Sequence, residues 1–133
     1  MKTRALMAAS AVFLGISGVA ALFAPDEILR AASIPPSPFL PPLVQLCAAL
    51  LFGFAMTNWM VRRSRVGGIY NRPIAIGNLV HFAVGAITLD RFALRGHEAW
   101  PVLVFATIYT IFAVGFGLVV FGPGERVAVK TLP

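Results

Sequence analysis

Charged side chains are scarce in this sequence. They make up only 12% of the 133 residues, whereas 59% are hydrophobic and the mean hydropathy is +0.85. A soluble domain has roughly a quarter of its residues charged, because its surface faces water. The composition therefore predicts an integral membrane protein. A chain of this length is expected to form a single domain over residues 1–133.

Cysteine is nearly absent, with Cys47 as its one representative. A single cysteine excludes an internal disulfide and a CxxC metal or redox motif. Because Cys47 lies in an apolar run, and free cysteine is among the most buried residue types, we expect a buried and unreactive thiol.

The sequence also lacks the motifs of common enzyme chemistry: it has no GxGxxG, P-loop, HExxH or GxSxG pattern. No pair of acidic residues falls inside the apolar runs, so the usual groups for ion coupling or acid–base catalysis are missing there. We expect no enzymatic activity, no catalytic residue and no metal site. The sequence favours a small-molecule transporter less than an accessory subunit or a quinone- or pigment-binding subunit.

Four apolar runs are long enough to cross a membrane as α-helices. They extend over about residues 5–23, 43–61, 73–90 and 101–121. At a rise of 1.5 Å per residue, about 20 residues cross the ~30 Å hydrocarbon core. The sequence predicts an all-α bundle of four transmembrane helices, with successive helices as neighbours.

The segment after the first run predicts a short helix on the membrane surface. Pro25 suits the first turn of a helix, and Asp26 and Glu27 suit its N-terminal end. Prolines then dominate residues 35–42, where we expect them to exclude regular helix.

Basic residues are distributed unequally between the two ends of the predicted bundle. Eight fall at one end: Lys2, Arg4, Arg62, Arg63, Arg65, Arg72, Arg126 and Lys130. Three basic residues and four of the five acidic residues fall at the other. Because cytoplasmic loops are enriched in Lys and Arg, both termini are predicted to face the cytoplasm. The charge forms no continuous basic face, which argues against nucleic-acid binding.

Asn78 and His81 are the most informative polar residues inside the third run. Three residues apart on a helix, they lie on one side of it. Near mid-depth in a membrane an unpaired polar group is costly, so each needs a partner. One interpretation is hydrogen bonding between helices. The alternative is a cofactor site, where Asn78 and His81 contact a quinone or a tetrapyrrole, with Tyr109 or Gln45 as second contacts; no cofactor is required.

A second group of residues surrounds the loop between the second and third runs. Its members combine positive charge with aromatic rings: Trp59, Arg62, Arg63, Arg65, Tyr70 and Arg72. Such residues set topology and anchor helices at the interface. Clustered arginines also suit contact with anionic lipid or with a partner protein.

The layout resembles that of small DoxX-like bacterial membrane proteins. The resemblance rests on four short spans, on the Leu22-Phe23-Ala24-Pro25 exit from the first span, and on a glycine-bearing second span that ends in a basic loop. It implies a bacterial cytoplasmic membrane location. Because some members are linked to quinone-coupled oxidoreductases, it also implies a subunit of a redox complex.

The function that the sequence favours is that of a non-enzymatic accessory or structural subunit of a larger membrane complex. The chain leaves little mass outside the predicted spans, and small residues such as Ser10, Gly15 and Gly18 allow close contact between helices. The expected partners are the lipid bilayer and other membrane subunits, or further copies of the same chain. The alternative is a quinone- or pigment-binding subunit that uses Asn78 and His81.

Overall fold

The computed structural model describes residues 3–63, 71–96 and 100–122, and every regular element that they form is an α-helix. The helices are α1 (Thr3–Phe23), α2 (Pro25–Ala31), α3 (Leu40–Val61), α4 (Asn71–Leu94) and α5 (Trp100–Phe121). All except α2 are long and apolar enough to cross a membrane. The predicted all-α architecture, with four membrane-length helices and a short helix after the first, is confirmed.

The start of α3 corrects one prediction. Pro41 and Pro42 do not exclude helix, because α3 begins at Leu40 and both prolines lie in its first turn. The first N–H groups of a helix have no acceptor within the helix, so proline loses no hydrogen bond there. The preceding prolines, at positions 35, 36 and 38, do remain outside regular helix.

α4 is longer than the predicted span, since it continues past position 90 to Leu94. Asp90 and Arg91 are exposed, and charged residues are tolerated where a helix emerges from the hydrocarbon region. The helix stops just before Gly96, whose φ of +88° is readily adopted only by glycine.

Two pairs of helices pack most closely, α1 with α3 and α4 with α5. In the first pair Gly18 lies against the ring of Phe52 and the backbone of Ala48. The pairs also meet each other, although less extensively, through α1 with α5 and α3 with α4. α2 packs across the ends of α1 and α3, where it buries Leu29.

Aromatic side chains fill the interior of the bundle, both within the α4–α5 pair and between the two pairs. Phe82 of α4 is completely buried and stacks on Phe112 and Phe116 of α5, with ring centroids 4.8 and 5.6 Å apart. Phe13 reaches across from α1 to the rings of Phe112 and Tyr109. The contacts of Phe13 join the two helix pairs into one bundle.

The outside of the bundle is apolar. Leu46 and Leu50 of α3 and Leu118 of α5 each have more than 60% of their surface exposed. Such a surface suits hydrocarbon lipid, not water. Cys47 lies on this outer side, so the prediction of a buried thiol is wrong. An apolar run indicates that a residue belongs to a span, but it does not indicate which side of the helix faces inward.

Candidate functional site

A polar cluster of Ser10, Asn58 and Asn78 joins three helices inside the bundle. The side chains come from α1, α3 and α4, and all three residues are 0% exposed. Ser10 is the eighth residue of α1, Asn78 is the eighth of α4, and Asn58 is the fourth residue from the end of α3. The cluster therefore lies toward the end of the bundle that holds Arg62 and Arg72.

The two amides pair reciprocally. Asn58 Nδ2 donates to Asn78 Oδ1 at 2.6 Å, and Asn78 Nδ2 donates to Asn58 Oδ1 at 2.7 Å. Asn58 Nδ2 also donates to Ser10 Oγ at 3.0 Å, and the Ser10 hydroxyl donates to the Met7 carbonyl at 3.0 Å. Asn78 Nδ2 additionally reaches the Ile74 carbonyl of its own helix at 2.9 Å.

These bonds leave the cluster closed. Each buried side-chain nitrogen and oxygen within the described residues has a hydrogen-bond partner. In an apolar interior an unsatisfied amide is costly, and a closed network avoids that penalty. The side-chain nitrogen and oxygen of both Asn58 and Asn78 are therefore engaged in hydrogen bonds within the protein.

His81 belongs to a different environment, one turn further along α4. Its ring stacks on Phe54 of α3, with centroids 4.6 Å apart and an interplanar angle of 26°. Its Nε2 lies 3.4 Å from the hydroxyl of Tyr109 on α5. Phe82 meets the imidazole edge-on at 5.1 Å. His81 is thus held between α3 and α5 and is only partly buried.

Tyr109 occupies its position because α4 has a glycine opposite it. A Cβ atom at Gly85 would lie 2.5 Å from both Cδ1 and Cε1 of the Tyr109 ring. The ring therefore rests directly on the backbone of α4. The same ring meets Phe13 edge-on at 5.9 Å and contacts His81 and Phe82. Gly85 thus determines where the partner of His81 sits.

At the basic end of the bundle, Arg62 is placed on Trp59. Its guanidinium lies 3.6 Å from the centroid of the indole ring, and its Nη1 donates to the Trp59 carbonyl. Arg63 follows the end of α3 and Arg72 lies at the start of α4, and both residues are exposed. Arg65 and Tyr70, also predicted as contact residues, lie outside the described residues.

The structure separates the two residues that the sequence grouped. Asn78 bonds to Asn58, whereas His81 bonds to Tyr109, and the two share no polar partner. Tyr109 was expected as a second contact and does approach His81. The amide of Gln45 donates to the Leu22 carbonyl of α1 at 3.1 Å.

Sequence reasoning missed the joint role of Ser10 and Asn58. Ser10 was interpreted only as a small residue, and no partner on another helix was predicted for Asn58. The depth of these residues along their spans was the available signal for that role. In helices that cross in alternating directions, positions near the end of one span face positions near the start of the next, which brings Ser10, Asn58 and Asn78 to similar depths.

Metal binding finds no support in the described part of the chain, which contains no group of three or more His, Cys, Asp or Glu side chains able to hold an ion. A shallow apolar depression lies on the outer side of α1 and is lined by Val12, Gly15, Ile16, Val19 and Ala20.

Comparison with known proteins found no match to a family model, to a curated protein or to a solved structure. The resemblance to DoxX-like proteins therefore rests on the layout of the spans and on the motif at Leu22–Pro25.

Proposed function

We propose that this chain is a non-enzymatic accessory or structural subunit of a larger assembly in the bacterial cytoplasmic membrane. The observation that carries the proposal is the closed Ser10–Asn58–Asn78 cluster. It uses the most deeply buried polar groups of three helices to hold the bundle together, so these groups serve assembly of the fold.

The outer side of α1 suits contact with another transmembrane helix. Gly15 and Ala20 lie in its apolar depression, and Val12, Ile16 and Val19 extend from it with exposures of 52%, 67% and 47%. Small residues beside larger ones let a neighbouring backbone approach closely, and van der Waals packing then supports association in lipid. A helix of another membrane subunit is the occupant that we propose.

Replacing Ile16 with tryptophan is expected to release the chain from its assembly. The indole would occupy the depression and keep a partner helix away, while the interior of the bundle would stay unchanged. In mild detergent extracts of native membranes, the wild-type chain should migrate with a larger complex. Ile16→Trp should shift most of the chain to the size of the free subunit.

Val114→Trp is the matched control, because Val114 lies on α5 and is similarly exposed at 59%. It should leave the complex intact. Equal migration of wild type and Ile16→Trp would contradict the proposed contact surface. Migration of the wild type as a free monomer under the mildest conditions would contradict the subunit role itself, and a complex containing only this chain would identify the partner as a second copy.

The orientation in the membrane is a separate proposal. Four crossings place both ends of the chain on one side, and the excess of Arg and Lys near Arg4, Arg62, Arg63 and Arg72 favours the cytoplasm for that side. A reporter enzyme active only outside the cytoplasm should be silent when fused after Lys130. The same reporter inserted beside Arg95 should be active. The opposite pattern would reverse the topology.

Anionic lipid is the proposed partner of the basic end. The guanidinium of Arg62 is held over the indole ring of Trp59. Because indole rings favour the membrane interface, we expect both side chains to lie there. Exposed guanidinium groups at Arg63 and Arg72 add charge that attracts anionic head groups, each by about 1 kcal/mol near the membrane surface.

A further inference from the structure

The helices α1 and α4 carry the same chemical pattern. Residues 12–19 of α1 are Val-Phe-Leu-Gly-Ile-Ser-Gly-Val, and residues 80–87 of α4 are Val-His-Phe-Ala-Val-Gly-Ala-Ile. Each segment has a valine, a ring, a large apolar residue and then the order small, β-branched, small, small, β-branched. Two residues before each segment lies a buried polar side chain, Ser10 in α1 and Asn78 in α4. The aligned positions therefore match in kind, although few of them are identical.

Burial follows the same alignment of α1 with α4. From residue 12 to residue 20 and from residue 80 to residue 88, the members of each aligned pair are alike in being buried, half-buried or exposed. Leu14 and Phe82, for example, are aligned and completely buried. An apolar sequence does not by itself decide which side of a membrane helix faces inward. Agreement over about two and a half turns therefore indicates that α1 and α4 occupy equivalent places in the bundle.

The helices α3 and α5 match in the same way. Residues 48–53 of α3 and 109–114 of α5 agree in burial at every aligned position. Leu50 and Ile111, which are aligned, are each 63% exposed. The two alignments have different spacings along the chain, because α2 and the proline-rich segment after it lengthen only the connection between α1 and α3. Each half of the chain thus contains the same pair of helices.

The contacts between helices also occur twice. α1 packs on α3 about as extensively as α4 packs on α5, and the smaller contacts of α1 with α5 and of α3 with α4 are similar in extent. Exchanging α1 with α4 and α3 with α5 leaves this set of contacts unchanged, as in a two-fold arrangement. α1 and α4 both begin at the end of the bundle that holds Arg4 and Arg72, so both hairpins cross in the same direction.

Phe13 and His81 are the aligned residues where the two hairpins meet. Each is the eleventh residue of its helix and is half-buried. Phe13 reaches from α1 to the Tyr109 ring of α5, with centroids 5.9 Å apart, and His81 reaches from α4 to the Phe54 ring of α3 at 4.6 Å. The imidazole therefore occupies the place that a phenyl ring has in the other half, where ring contacts stabilise the packing.

We infer that this chain is a tandem repeat of one membrane hairpin, with α1 and α3 as the first copy and α4 and α5 as the second. The surface of each copy around Phe13 or His81 fits a second hairpin of the same kind, and His81 is an aromatic packing residue of that interface. The copies differ in the polar cluster, since Asn58 of α3 aligns with Val119 of α5. The inference is independent of the proposed subunit role, because the contact surface for that role lies on the outer side of α1.

Distances between spin labels test the two-fold arrangement in the full chain. Cys47→Ala removes the native thiol, and pairs of labelled cysteines at exposed positions are measured in nanodiscs by double electron–electron resonance. The first comparison is within the hairpins: Ile16 to Leu50, and Val84 to Ile111. The second is between the hairpins: Ile16 to Ile111, and Val84 to Leu50. Within each comparison the two distances should coincide. Unequal distances in either comparison would overturn the two-fold arrangement.

Exchanging the two central residues tests whether the copies are interchangeable. The double variant Phe13→His/His81→Phe gives each hairpin the residue of the other and keeps one imidazole and one phenyl ring in the interface. Because the two positions are equivalent, this variant should unfold in mixed micelles at the same fraction of denaturing detergent as wild type.

Leu14→His/His81→Leu is the control for that exchange. It moves the imidazole to the next residue of α1, a completely buried position that aligns with Phe82 instead of His81. This control should unfold at a clearly lower fraction of denaturing detergent, because the imidazole is buried in an apolar place. A loss in Phe13→His/His81→Phe as large as that in the control would overturn the equivalence of Phe13 and His81.

Discussion

Asn58→Ala is expected to destabilise the bundle by about 2–4 kcal/mol. The substitution removes both bonds between Asn58 and Asn78 and the bond to Ser10. Hydrogen bonds between membrane helices contribute about 0.6–1.7 kcal/mol each. The Asn58→Ala substitution also leaves Asn78 Oδ1 buried without a donor, at a cost of about 1–3 kcal/mol. Unfolding of the purified chain in mixed detergent micelles measures the loss.

Thr57→Val provides the control for Asn58→Ala. Thr57 is the preceding residue on α3, but it is exposed and its hydroxyl donates to the Gly53 carbonyl of the same helix at 2.8 Å. Its replacement should change the free energy of unfolding by less than about 0.5 kcal/mol. A similar loss in both variants would mean that any polar-to-apolar change in α3 is harmful, and would remove the special role of the cluster.

A double-mutant cycle with Asn78→Ala isolates the amide pair. Asn58 and Asn78 bond mainly to each other, so either single substitution already removes the bonds between them. The loss of unfolding free energy in the double variant should therefore be smaller than the sum of the two single losses, by about 1 kcal/mol or more. Additive losses would show that Asn58 and Asn78 contribute separately. The cycle also separates the hydrogen bonds from the small cavity that each alanine leaves.

Gly85→Ala should destabilise the bundle by about 1–3 kcal/mol through overpacking. The new methyl group would lie 2.5 Å from two carbons of the Tyr109 ring, a distance that forces the ring or the helix to move. Tyr109 touches Phe13, Phe82 and His81, so its displacement disturbs the contact between the helix pairs. The micelle unfolding assay measures this loss as well.

Gly53→Ala is the matched control, since nothing lies within 4 Å of the added carbon. It should be neutral or stabilising, because alanine is favoured over glycine within helices by up to about 1 kcal/mol. The clash itself is tested in a Tyr109→Ala background, where Gly85→Ala should cost little. An equal cost in both backgrounds would contradict the clash and attribute the loss to α4 alone.

The geometry of α4 explains why the sequence grouped Asn78 with His81 and the structure separates them. Residues three apart on a helix differ by about 300° in direction, so they lie roughly 60° apart on the same side. That angle is small enough for both to face the bundle. It is also large enough for Asn78 to meet Asn58 and for His81 to meet Tyr109.

Local hydrogen bonds were predictable where a side chain reaches its own helix. The hydroxyls of Thr57, Thr88 and Thr107 each bond to the carbonyl four residues earlier, as expected for threonine in an apolar helix. A polar side chain in a membrane helix commonly bonds to a neighbouring helix, but the sequence does not indicate which acceptor Gln45 uses. Only the packing of α1 on α3 brings the Leu22 carbonyl within its reach.

By itself, the sequence determined that this protein consists of four membrane-length helices, and it placed their limits within a few residues. The reason is that a helix forms the hydrogen bonds of its backbone N–H and C=O groups within itself, so a long apolar run suffices to predict a membrane-length helix. Only the tertiary structure decided which sides of the helices meet. It buried Ser10, Asn58 and Asn78, turned Cys47 outward and set Tyr109 on Gly85. In uniformly apolar helices hydrophobicity does not distinguish a lipid-facing side from an inward-facing one, so shape and hydrogen bonding between helices make that choice.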